Sequence, residues 1–161
     1  LALIGLGSGD TVYGTGYDQA RAILQGAADS PGSWFGLSKF CANVVSYWAG
    51  IPGGIFSPAL AVGAGIGDFV AAWLPSAPSA GVVLLGMAAY LAGVTQAPLT
   101  SAIISMELTD NQAMVLPVLA ACLLARFASS LVCHVPVYKA LAERIVAEAA
   151  PRPAAGEATM R

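Results

Sequence analysis

From Trp34 onward the chain is a succession of apolar stretches, 34–49, 55–74, 81–96, 98–108 and 113–134, separated by glycine, proline and small polar clusters. A helix needs about 20 apolar residues to cross the hydrocarbon of a bilayer. Two of the five stretches reach that length and three fall short, a pattern that predicts discontinuous or re-entrant helices, since a plain bundle would show more even lengths. Pro98 suits the first turn of a helix, where its missing N–H is not needed. Thr109-Asp110-Asn111 ends that short helix, and Asp110 or Asn111 is expected to cap the next. Trp34, Trp48 and Trp73 fall near stretch ends, as interfacial anchors do.

The flanks are more polar. Residues 1–32 are punctuated by Gly7, Gly9, Gly14 and Gly16 ahead of a short helix from Tyr17 to Leu24, with a connecting loop from Ala27 to Gly32. Asp18 and Arg21 are spaced to share a solvated helix face. After Pro136 a last helix is expected from Val137 to Ala149, carrying Lys139, Glu143, Arg144 and Glu148 out of the lipid. The tail, 150–161, is rich in proline and alanine and reads as disordered.

Composition strengthens the membrane reading. The chain is 57% hydrophobic and 10% charged, against roughly 45–50% and about 25% in soluble domains, and its mean hydropathy is +0.73. Seven Lys or Arg and nine Asp or Glu supply too thin a charged shell for a soluble core of 161 residues. A net charge of −2 offers no basic surface for nucleic acid. The bilayer is the implied partner. Cys41, Cys122 and Cys133 lie inside apolar runs without a CxxC spacing and read as small buried hydrophobes. The chain opens without an initiating Met or a positively charged leader, so it is expected to be an internal piece of a longer protein.

The break Gly50-Ile51-Pro52-Gly53-Gly54-Ile55-Phe56-Ser57-Pro58 is the feature most suggestive of function. Irregular backbone at membrane depth is tolerated only where protein buries it or where it lines a cavity. A helix starting near Ile55 would aim free N–H groups and about half a positive charge at whatever precedes it, which suits an anion. Gly53 and Gly54 would let the backbone approach a ligand closely, and Pro58 in the first turn forfeits little. No basic residue lies near the break in sequence. An ordinary interfacial loop is the alternative.

Other residues point elsewhere. Gly63 and Gly67 have GxxxG spacing and predict close helix packing. Glu107 reads as a structural turn residue before Asp110, although an intramembrane carboxylate can relay protons. Arg126 lies within the 113–134 run, facing protein or reaching an interface. His134 carries no assignment. The opening glycines are not a phosphate loop, because no Gly-Lys-Ser/Thr follows, and no spaced catalytic pair or metal set such as HExxH is present. An intramembrane enzyme using Glu107, Asp110 and His134 thus lacks its motif, while a scaffold or regulatory membrane subunit remains a rival to a transporter.

Gly54-Ile55-Phe56-Ser57-Pro58 matches the G-x-F-x-P signature of the CLC chloride channels and chloride/proton exchangers. The resemblance continues in family order through Gly86-Met87-Ala88-Ala89-Tyr90-Leu91-Ala92-Gly93, Ala97-Pro98-Leu99-Thr100, Met106-Glu107-Leu108-Thr109-Asp110-Asn111, Leu116-Pro117 and Pro136-Val137-Tyr138. It covers residues 5 to 148 and resembles about the last third of that family's membrane core.

The resemblance implies an all-α integral membrane fold of broken and tilted helices from the second inverted repeat, with 1–149 as the C-terminal portion of the transmembrane domain and 150–161 as a tail. It implies chloride transport, as a channel or an antiporter, with no chemistry on a substrate and no cofactor beyond the transported ion. The backbone N–H groups of Ile55 and Phe56 and the hydroxyl of Tyr138 are the implied chloride ligands, with Gly53 and Gly54 as permissive glycines. Gly7-Ser8-Gly9 resembles the family's G-S-G-x-P motif only superficially, so Ser8 is not assigned. The family's gating glutamate sits in a G-[KR]-E-G-P motif that this chain lacks, so the missing N-terminal half would be needed for a complete pore. A homodimer is implied, with 98–108 and 113–134 at the interface and Ser101, Ser105 and Ala120 available for contact. The implied location is the inner membrane of a bacterium.

Overall fold

The computed structural model describes residues 5, 11–26, 32, 34–49, 54–109, 112–133 and 135–149. Among them the chain forms helices α1 (Tyr17–Leu24), α2 (Phe35–Trp48), α3 (Phe56–Trp73), α4 (Ser79–Thr95), α5 (Pro98–Thr109), α6 (Val115–Val132) and α7 (Val137–Ala149), and no strand. A 3-10 turn, Gln112–Met114, leads into α6. The apolar stretches became helices whose ends differ from expectation by two residues at most. The expected helices at Tyr17–Leu24 and Val137–Ala149 have those bounds. The tail expected at 150–161 lies outside the described residues.

Only α3 and α6, of 18 residues each, are long and apolar enough to cross a membrane by length and composition. α2 and α5 have 14 and 12 residues, about 21 and 18 Å of helix at 1.5 Å per residue. Local chemistry accounts for several ends. α4 stops at Gln96, which takes a left-handed φ of 55° while its N–H still reaches the Ala92 carbonyl at 2.8 Å. Pro98 then opens α5, as its fixed φ and missing N–H favour. Met114 holds the N-cap position of α6 with no side-chain cap, which corrects the expectation that Asp110 or Asn111 caps that helix directly. The intervening 3-10 turn displaces the helix start, and Asp110 and Asn111 themselves lie outside the described residues.

α4 is the centre of the packing. It lies most extensively against α3 and then against α6, and also touches α5 and α1. Its Val83, Met87 and Leu91 join one buried cluster with Ala20 and Ile23 of α1, Phe35 of α2 and Ala59, Leu60, Ala61 and Ala64 of α3. Its Leu84, Ala88 and Ala92 join a second cluster with Ala102 of α5 and Val118 and Cys122 of α6. The two rows are one residue apart, about 100° around the helix, so α4 buries two faces and needs no polar stripe.

Glycine lets these helices touch at the backbone. A Cβ on Gly63 would stand 2.7 Å from the Gly86 carbonyl oxygen and from Met87 Cα, and one on Gly67 would stand 2.7 Å from Val83 Cα. The GxxxG pair is therefore the α3–α4 contact. A second such contact, not signalled by spacing, joins α2 to α3. A Cβ on Gly65 would come within 2.5 Å of Gly36 N and Cα. Close approach matters in lipid, where packing rather than expulsion of water holds helices together.

Buried hydroxyls and thiols stitch α4 to its neighbours. Ser129 Oγ donates to the Gly93 carbonyl at 2.6 Å, and Cys122 Sγ to the Ala88 carbonyl at 3.4 Å. Cys122 is buried as expected, but Cys41 and Cys133 are exposed, because each sits on the helix face or end turned away from these clusters. Ser101 and Ser105 are likewise buried on α5, leaving Ala120 as the exposed member of the expected contact set. α6 exposes Leu116, Leu124, Phe127 and Leu131 opposite Val118 and Cys122. Trp34, Trp48 and Trp73 are all exposed at helix ends, Trp48 at 90%.

Candidate functional site

α3 starts without a side-chain cap. Ile55 is its N-cap at φ −79° and ψ −30°, and the first turn closes where Ala59 N–H donates to the Ile55 carbonyl at 3.1 Å. The N–H groups of Ile55, Phe56 and Ser57 precede any helical acceptor, and Pro58 has no N–H. The positive end of the α3 dipole is concentrated there. Tyr47, in the last turn of α2, donates its hydroxyl to the Gly54 carbonyl at 3.3 Å and so ties the residue before the cap to α2.

Gly53 lies outside the described residues. Gly54 is exposed, its φ is not left-handed, and a Cβ there would meet nothing within 4 Å. The steric need for glycine expected at this position is not exerted by this chain's own atoms.

Three helices, α2, α4 and α7, border the start of α3. Tyr47 from α2, Ile55, Tyr90 and Val94 from α4, and Val137 and Leu141 from α7 line a cavity of about 350 Å³. Tyr138, in the first turn of α7, is half exposed. The fold thus gathers Ile55 at the start of α3 and Val137 at the start of α7 around one space, although they are 82 positions apart; Phe56 and Tyr138 are not among its lining residues. The antiparallel run of α2, α3 and α4 does this, bringing the end of α2 and the end of α4 to the beginning of α3. The Phe56 side chain turns inward against the core cluster, which leaves its main chain as the part available to a ligand.

A second cavity of about 390 Å³ lies on the other flank of the same turn, lined by Tyr17 and Arg21 of α1, Gln25 just after it, Ser57 and Leu60 of α3, and Met87. The first turn of α3 therefore stands between two spaces, Ile55 facing one and Ser57 the other. Among the described residues, no group of His, Cys, Asp and Glu could hold a metal ion.

Two polar side chains of α2 are not among the residues the sequence marks out. One is Tyr47, whose hydroxyl bond to Gly54 spans a loop. The other is Lys39 on α2, only 1% exposed, with Nζ donating to the Val12 carbonyl at 2.7 Å and the Gly14 carbonyl at 2.8 Å. The expectation of no basic residue near the break holds along the chain; in space Arg21 of α1 lines a cavity with Ser57, while Lys39 lines neither cavity. A single lysine inside the apolar 34–49 stretch was the available signal, because an unexplained charge in such a stretch marks either an interface or a function.

The family model described as voltage gated chloride channel matches residues 1–130. An H(+)/Cl(-) exchange transporter, ClcA, of Klebsiella pneumoniae is 33% identical over 118 residues, covering 70% of this chain and 25% of that protein. A ClcA of Cronobacter sakazakii is 31% identical over the same length. A voltage-gated ClC-type chloride channel, ClcB, of Salmonella typhimurium is 33% identical over 141 residues, 80% of this chain and 33% of the relative. The chain thus spans a quarter to a third of the length of these curated relatives. With the family model covering most of the chain, and all-helical architecture and apolar spans in agreement, this is a membrane protein chain belonging to the CLC family of voltage gated chloride channels and exchangers.

Proposed function

We propose that this chain forms the C-terminal part of a membrane protein that passes chloride across the bilayer, as a channel or in exchange for protons, and that the ion is held by the Ile55 and Phe56 amides and the Tyr138 hydroxyl. The observation that carries it is the uncapped start of α3, where Ile55 lines a cavity shared with Val137 in the first turn of α7. Both transport modes are named among the relatives.

Magnitudes favour a shared site. Stripping a small anion of water costs tens of kcal/mol in a Born estimate, while one helix end contributes at most about 2 kcal/mol. Several donors must converge, and the remainder of the longer protein supplies those this chain lacks. Partial dipoles also bind loosely enough for release, which conduction requires. The cavities on either side of the α3 turn are consistent with an ion approaching from one and leaving toward the other. Nothing in this scheme transforms a substrate, and the only bound species is the chloride itself.

The protein works as a homodimer in the inner membrane of a bacterium. The apolar face of α6, with Leu116 at 77% exposure, and Leu99 and Ile103 of α5 are the surface offered to a second copy. Chloride efflux from liposomes tests the function. The complete protein should release a trapped chloride gradient within minutes, whereas a complete protein as impermeable to chloride as empty liposomes would refute transport and favour a scaffold role.

A further inference from the structure

Lys39 is the largest fully buried side chain among the described residues. Its surroundings define where its charge sits. Nζ is held by the Val12 and Gly14 carbonyls at 2.7 and 2.8 Å. A Cβ on Gly16 would collide with Ala61 Cβ at 2.6 Å and crowd Lys39 Cε and Nζ at 3.0 and 3.3 Å. The lysine head is therefore sealed between the 12–16 turn and α3, level with Ala61. Gly14 and Gly16 both take left-handed φ, 69° and 77°, which folds the turn's carbonyls around the lysine head.

Carbonyl dipoles solvate a cation without cancelling it. Asp18 and Arg21 on α1 are exposed, Asp68 lies seven residues further along α3, and among the described residues no carboxylate pairs with Lys39. A buried charge that no described carboxylate offsets projects its field toward the nearest place where an anion can sit. Ala61 is five and six residues from Phe56 and Ile55, about 8 Å along the helix at 1.5 Å per residue.

We propose that Lys39 is a fixed cation of the anion path, acting across α3 on the ion at the Ile55 and Phe56 amides without touching it. The inference rests on the chloride site proposed above. That rise of about 8 Å along α3 is the least separation between the lysine head and those amides, so at an effective dielectric of about 20 the charge raises anion affinity by at most about thirtyfold, a ceiling comparable with what a favourable helix end provides. The 12–16 turn has the role of holding that charge in place, and the neutral dipoles around the ion keep it exchangeable.

The test is chloride affinity by titration calorimetry on the complete protein. Lys39→Arg should bind within about threefold of wild type. Lys39→Gln keeps donors for the two carbonyls but not the charge, and should bind chloride several-fold and up to about thirtyfold more weakly, as should Lys39→Met. A merely structural lysine would be rescued by glutamine, so wild-type affinity in folded Lys39→Gln overturns the proposal. A fold-safe arm uses exposed Thr15 in the same turn. Thr15→Glu, with Lys39 intact, should weaken chloride about threefold through partial charge compensation, and Thr15→Gln should not. Equal affinity in the two Thr15 variants counts against the proposal even if the lysine variants do not fold. Absence of chloride binding in wild type would instead refute the site itself.

Discussion

Gly65→Val leaves little folded protein. The added Cβ would lie 2.5 Å from Gly36 N and Cα and 3.0 Å from Phe35 Cδ1. Two of these three atoms are backbone, so no rotamer change relieves them and α2 must move off α3. Ordinary overpacking costs about 1–3 kcal/mol; here a helix interface opens, and the loss exceeds that range. Because α2 carries Lys39 and Tyr47 and α3 carries the site, the same variant should lose chloride binding in whatever fraction survives. The measurement is the yield of monodisperse complete protein in detergent and its melting temperature. Gly93→Ala is the contrast. A Cβ there finds its nearest neighbour, the Ala125 carbonyl oxygen, at 4.0 Å, and within a helix, even in its last turn, alanine is favoured over glycine, by up to about 1 kcal/mol in the interior. It should be as stable as wild type or more so. Equal stability of Gly65→Val and Gly93→Ala would show that the α2–α3 contact is looser than described.

Ile55→Pro separates the backbone donor from the side chain that carries it. Ile55 has φ −79°, within the range proline adopts, and its N–H precedes the helix, so the helix loses no internal hydrogen bond. What is lost is one N–H facing the cavity. A hydrogen bond to a charged group is worth about 1.5–3 kcal/mol, so chloride affinity of the complete protein should fall between about 10-fold and 150-fold. Ile55→Ala keeps the N–H and removes the side chain, and should bind chloride within a few-fold of wild type. If the alanine variant suffers as much as the proline variant, the side chain shapes the site and the amide does not hold the ion.

Much of the fold was legible because its helices are made locally. Apolar run length, Pro98 and the Trp positions depend on neighbours within a turn or two, and the helix bounds followed. Gly63 and Gly67 were legible because GxxxG places two small residues on one face. Their partner Gly86 was not, and neither was the Gly36–Gly65 contact, since each requires knowing which helices lie side by side. The inward turn of Ser101 and Ser105 escaped notice for a related reason. In lipid a small hydroxyl is placed as readily toward a neighbouring helix as toward a partner subunit, and α5 has little amphipathic pattern to decide. Cys41 and Cys133 went the other way, exposed although they sit in apolar runs, because a membrane chain has apolar residues on both its inner and its outer faces.

At the site, the start of α3 was readable from Gly54-Ile55-Phe56-Ser57-Pro58, and Tyr138 only through its place in an ordered series of family motifs. Lys39 was overlooked because its significance lies in the 12–16 turn, more than twenty residues earlier in the chain. Nothing in its immediate sequence shows two carbonyls waiting for it.

The most direct measurement of the central claim is anomalous diffraction from crystals of the complete protein grown in bromide. Bromide replaces chloride at a site made of neutral donors and is located by its own scattering. A peak within hydrogen-bond distance of the Ile55 and Phe56 main-chain nitrogens, with the Tyr138 hydroxyl also in contact, is the result expected. A map with bromide elsewhere along the protein and none at the start of α3 would contradict it.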